Sequence, residues 1–110
     1  EGIAADFAPT AHLLARLRVW HPVLAILTAV ATIAGARWLA VHRPSPGVQQ
    51  LAVVVMGLWV VQVLGGFVNL ALLAPTWMQL VHLLLADAAW VAVVLLSSRA
   101  LVTAPLRTGP

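Results

Sequence analysis

The sequence has no cysteine, no tyrosine and no lysine, and only 8% of its 110 residues are charged. Each shortage excludes something. Without cysteine there is neither a disulfide scaffold nor a thiolate metal site. An ordinary soluble domain carries about 25% charged residues, and a domain this short leaves much of its surface in water. With 63% hydrophobic residues, the chain cannot clothe such a surface, so a soluble globular domain is excluded. The same richness excludes a disordered chain. The basic balance comes from six arginines against three acids, Glu1, Asp6 and Asp87. It does not form a patch, so nucleic acid is not an expected partner. The chain opens on Glu1 rather than Met, which reads as a fragment or a processed product.

What is present is apolar sequence in three long stretches. Residues 19–36 are uncharged and the apolar pattern continues to Val41; residues 48–74 and 76–86 are also uncharged, and apolar sequence resumes after Asp87. A membrane-spanning helix needs about 20 mostly apolar residues. The expected organisation is an outer-face segment over 1–19 and spans over 20–41, 49–73 and 78–98. A loop at 42–48, a turn at 74–77 and a tail at 99–110 complete it. His42-Arg43-Pro44-Ser45-Pro46-Gly47 is a polar turn. Pro75 ends the second span, and Thr76 is placed to cap the third. Before the first span, Pro9-Thr10 resembles a helix start. Leu13, Leu14 and Leu17 fall on one side of a short amphipathic helix, with a kink expected at Pro22.

Arginine placement sets the expected orientation. Arg43 lies in the first loop, Arg37 can snorkel towards it, and Arg99 and Arg107 follow the third span. Arg16 and Arg18 at the other side are offset by Glu1 and Asp6. The positive-inside rule then puts the 42–48 loop and the C-terminus in the cytoplasm and the N-terminal segment outside, in a cell membrane. Trp20 and Trp77 would mark the outer interface and Trp38 the inner one.

Polar groups inside a bilayer are expensive, so each needs a reason. His21 lies near the outer end of the first span and His82 about a turn and a half into the third, at similar depth. Two imidazoles at one depth on neighbouring helices are what axial ligation of a haem iron requires. Zinc would need further ligands that do not accompany them. Ala25, Thr28 and Thr32 follow His21 at helical spacing, and Ala86 and Ala89 follow His82. Such small stripes give clearance for a flat ligand, and equally let membrane helices pack together. On the second span Trp59, Gln62, Gly66 and Asn69 share a face, and Gly65-Gly66 permits a close approach to the backbone. Gln62 and Asn69 read as interhelical hydrogen-bond partners. Arg18, three residues before His21, is positioned to pair with haem propionates. His12 and His42 read as interfacial residues without a ligand role. Asp87 points away from His82 and calls for a partner on another helix, or protonation.

At this point the sequence resembles the haem A synthase family. The resemblance rests on Arg18-Val19-Trp20-His21-Pro22, Gln62-x-x-Gly65-Gly66-x-x-Asn69 and Gln79-Leu80-Val81-His82, in that order, and covers roughly residues 5–100. It implies an all-α polytopic membrane fold in which three transmembrane helices form most of a four-helix haem-binding bundle. It further implies the C-terminal half of an enzyme that oxidises the methyl group of haem O to the formyl group of haem A. That half holds a haem b cofactor, with His21 and His82 as the axial iron ligands and Arg18 and Gly66 beside it. The family's substrate-handling half carries a Glu three residues before its first His; Arg18 stands there in this sequence, so no catalytic residue is carried over. Expected partners are membrane lipid, haem, the N-terminal half of the same protein and cytochrome oxidase assembly factors. The resemblance implies that these residues alone turn over nothing. Two other readings use the same residues: a b-type cytochrome subunit in quinone-linked electron transfer, and a structural membrane subunit without cofactor.

Overall fold

A computed structural model describes residues 2–103. The expectations for Glu1 and for the end of the tail, Arg107 included, lie outside the described residues. So do the side chains of residues 2–11 and Leu14, on which the amphipathic face partly rests. The described residues form three helices: α1 (Gly2–His42), α2 (Pro46–Ala71) and α3 (Thr76–Val102). Stretches of 28, 26 and 27 residues within them are long and apolar enough to cross a membrane. The protein is a multi-pass membrane protein, all-α throughout its described residues.

The helix ends depart from the sequence reading for identifiable reasons. Residues 2–19 and the 20–41 span are one helix, because Ala, Leu and Arg between residues 11 and 19 favour helix strongly. Pro22 sits inside α1 without ending it. The 42–48 loop shrinks to Arg43–Ser45. Ser45 is the N-cap, its hydroxyl accepting from the Val48 amide at 3.2 Å, with proline in the first turn. Proline there lacks only an N–H that would find no partner anyway, so α2 starts at Pro46 rather than at 49 and stops at Ala71 rather than 73. At the other end Pro75, not Thr76, occupies the N-cap position of α3 and supplies no side-chain cap. The turn is therefore 72–75 rather than 74–77, and α3 runs over 76–102 rather than 78–98.

That turn is held by other means. The Ala74 amide donates to the Asn69 carbonyl at 2.8 Å, and Gln79 Nε2 donates to the Ala74 carbonyl at 2.6 Å. Leu73 and Ala74 both adopt left-handed backbone, with φ of 60° and 53°. For L-residues this conformation costs roughly 1–2 kcal/mol each. Ala74→Gly is expected to stabilise the detergent-solubilised protein by about 0.5–1 kcal/mol, after the entropic cost of glycine. A thermal midpoint raised by a few degrees would show it.

α2 packs against both α1 and α3, while α1 and α3 scarcely meet. The core lies towards the 43–45 end: Ala36 from α1, Val48, Ala52 and Val55 from α2, and Ala92, Leu96 and Ala100 from α3. Alanines dominate because association in lipid is driven by close backbone approach rather than by expulsion of water. Large apolar side chains such as Val53, Leu64, Leu84 and Trp90 stand outward, as contact with acyl chains requires. At the 43–45 end the His42 ring stacks on Trp38 and its Nδ1 lies 2.9 Å from the Trp38 carbonyl. Arg43 donates to the Ala100 carbonyl at 3.4 Å.

Candidate functional site

The polar residues singled out in the spans collect towards the opposite end, where packing is looser. His82 is half-buried on α3 and its ring lies on α2 at Gly65-Gly66. A Cβ added to Gly66 would stand 3.2 Å from Cε1 and 3.6 Å from Nε2 of that ring. One added to Gly65 would stand 3.7 Å from its Nδ1. The close approach expected at these glycines is therefore made by the imidazole of the same chain. Gly66 acts by giving His82 its seat, which the sequence reading did not foresee.

His21 is exposed on α1 and lies within electrostatic reach of His82. Counting residues to the 43–45 end, each histidine sits about 30 Å from the end of its own helix, at 1.5 Å per residue. Because α1 and α3 scarcely meet, the two imidazoles belong to helices joined mainly through α2. Arg18 is exposed, a turn before His21 on the same helix.

Among the described residues, the buried polar atoms Trp59 Nε1, Gln62 Oε1, Asn69 Oδ1 and His82 Nδ1 have no hydrogen-bond partner. Trp59, Gln62 and Asn69 lie on the α2 face that also carries Gly66, and all are half-buried. The interhelical bonds expected of Gln62 and Asn69 through their side-chain oxygens do not form among the described residues. An unpaired buried polar group costs about 1–3 kcal/mol, so a row of such groups calls for partners beyond the described residues.

The small stripes are divided between two roles. Ala29 and Ala89 are buried in helix contacts, so below the histidines small residues serve packing. Ala25, Thr32 and Ala86 are half-buried, and Thr28 is exposed. Among the described residues no group of three or more His, Asp or Glu side chains converges.

A b-type haem fits these residues. Two imidazoles are a sufficient donor set for its iron. The unpaired polar row adjoins one of them, and an exposed arginine lies a turn from the other, where a carboxylate could be paired. Asp87 is exposed on the face of α3 turned away from His82, and takes no part in this cluster.

Residues 1–94 match the protein family described as cytochrome oxidase assembly protein. Two proteins from different strains of Thermus thermophilus, each named protoheme IX farnesyltransferase, are 41% identical to the chain over 101 residues. The match takes in 92% of this chain and 17% of each of theirs. The chain thus spans about a sixth of the length of the curated relatives it matches. No solved structure matches it.

Proposed function

Because the chain belongs to the haem A synthase family of cytochrome oxidase assembly proteins, we propose that it forms the C-terminal, cofactor-holding part of a membrane oxidoreductase. The whole enzyme converts the methyl group of haem O to the formyl group of haem A. The observation that carries this reading is the pair His21 and His82, on separate helices at one depth, with His82 seated on Gly66 beside a row of unpaired polar atoms.

His21 and His82 would hold the iron of a b-type haem, which would supply one-electron transfer when bound. The α2 backbone at Gly66 fixes the azimuth of the His82 ring. Arg18, exposed one turn before His21, would pair with a carboxylate of the cofactor. Trp59 and the apolar walls exclude water. No residue here is assigned to the oxidation of the substrate methyl, which this reading places elsewhere in the protein. The 42–48 loop and the C-terminus face the cytoplasm in this reading, by the arginines at 37, 43 and 99. Other oxidase assembly factors are its expected partners.

The name of the Thermus relatives points to a second activity, prenyl transfer. A prenyl diphosphate transfers its prenyl group with pyrophosphate as the leaving group, and proteins usually hold that pyrophosphate through magnesium and carboxylates. Here the acids are Glu1, Asp6 and Asp87, too few and too scattered for that. The unmatched five-sixths of those relatives has ample room for the activity in their name.

The test uses the complete gene. Haem extracted from cells carrying it is expected to contain the formylated product, and haem from a deletion strain to lack it. A purified protein with a b-type spectrum and no formylated haem in the cells would instead favour a quinone-linked cytochrome subunit. A colourless preparation would favour a structural subunit.

A further inference from the structure

Asp87 is the acid that the site leaves unused. It stands about 17 Å along α3 from Thr76 and about 23 Å from Val102, at 1.5 Å per residue, well inside the bilayer. It is exposed, and so are Leu80, Leu83, Trp90, Val91 and Val94 around it. The opposite side of α3, with Met78, Ala89, Ala92 and Leu96, is the side buried in the bundle. No hydrogen bond or ion pair joins Asp87 to another described residue. A carboxyl group at mid-bilayer among lipid-facing side chains is costly, and intramembrane acids are almost always met by another polar group.

We propose that the Asp87 face of α3 is covered by a further transmembrane helix that presents a basic side chain, Arg, Lys or His, at mid-bilayer depth. A parallel second copy of this chain does not supply one. Arg37 and Arg43 lie near the 43–45 end of the bundle. His21 and His82 sit towards the other end, and His82 is turned onto α2. The face is large and apolar around a single carboxylate, which sets both depth and rotation of the incoming helix. Ionisable side chains inside transmembrane segments almost always pair with one another or with backbone carbonyls, and a basic group at matching depth answers the carboxylate.

These residues contain no cysteine; any cysteine elsewhere in the full-length protein would first be replaced by serine, to leave a clean background for single-cysteine spin labels. The full-length protein in its own membrane would carry a label at Val91, on the Asp87 face, or at Val60, on the exposed side of α2. Oxygen, which partitions into acyl chains, is expected to collide with the Val91 label several-fold less often than with the Val60 label. Asp87→Lys, which sets like charges against each other, is expected to raise the Val91 value to that of Val60, whereas Asp87→Asn leaves it low. Equal accessibility of the two labels in the otherwise unaltered protein would overturn the proposal. A Val91 label that stays covered in Asp87→Lys would overturn the basic character of the partner.

Discussion

Replacing His82 by alanine in the complete gene product is expected to abolish the low-spin b-type absorption of this half. The imidazole is one of only two donors in the cluster, and no other described His, Asp or Glu converges on it. A six-coordinate low-spin iron needs both axial positions filled by strong nitrogen donors. Truncation also removes a half-buried ring from its seat on Gly66, so the protein must be shown to reach the membrane in normal amount. His82→Gln, which keeps most of the volume and the polarity, is expected to lose the signal as well. His42→Ala is the contrasting control: that ring stacks on Trp38 at the other end of the bundle, and the spectrum should not change. Reduced-minus-oxidised spectra of the three variants decide the matter, and an intact low-spin band in His82→Ala would refute the ligand assignment.

The second large effect concerns two neighbouring glycines that a sequence comparison would treat alike. A methyl group on Gly66 would meet His82 Cε1 at 3.2 Å, closer than carbon atoms normally pack; on Gly65 it would meet Leu85 Cδ1 at 3.5 Å and His82 Nδ1 at 3.7 Å, ordinary contacts. Alanine is favoured over glycine inside a helix by about 1 kcal/mol, which is available at Gly65 without a clash. Gly65→Ala is therefore expected to keep its haem and melt at the same or a higher temperature. At Gly66 the gain is opposed by overpacking, typically about 1–3 kcal/mol. The His82 ring, the candidate ligand, must move. Gly66→Ala should shift the midpoint potential, and Gly66→Val, which crowds the ring further, should lower haem content in purified protein several-fold. Haem-to-protein ratio and redox titration separate the two glycines. Identical behaviour of Gly65→Ala and Gly66→Ala would contradict the close contact.

How much of this was legible in the residues can be argued one feature at a time. The three spans were visible because lipid imposes a length and a composition that nothing else in the chain shares. Their ends were less visible. Pro46 reads as a breaker in isolation but is well suited to a first turn once Ser45 caps it, and the cap belongs to the tertiary context. The matching depth of His21 and His82 followed from counting residues. What approaches Gly66 did not, since a glycine pair announces proximity without naming the visitor. Ala89 illustrates the same limit: a small residue below a histidine suits a flat ligand and a helix contact equally, and its burial in the bundle assigns it to the second. The unpaired atoms of Trp59, Gln62 and Asn69 needed coordinates, because hydrogen-bond satisfaction is a property of neighbours rather than of residue type.

α2 supplies neither histidine, yet among the described residues α1 and α3 are registered almost entirely through it. The separation of the two imidazoles is therefore a distance measured along a third body, as two marks on a ruler. A slip of α2 by one turn against either neighbour would misplace a histidine by about 5.4 Å without altering any donor atom. Deep-seated substitutions such as Ala52 or Val55 to larger residues, far from the cluster, would then present spectroscopically as ligand defects. The tolerance of the site is set at the opposite end of the bundle from the chemistry it serves.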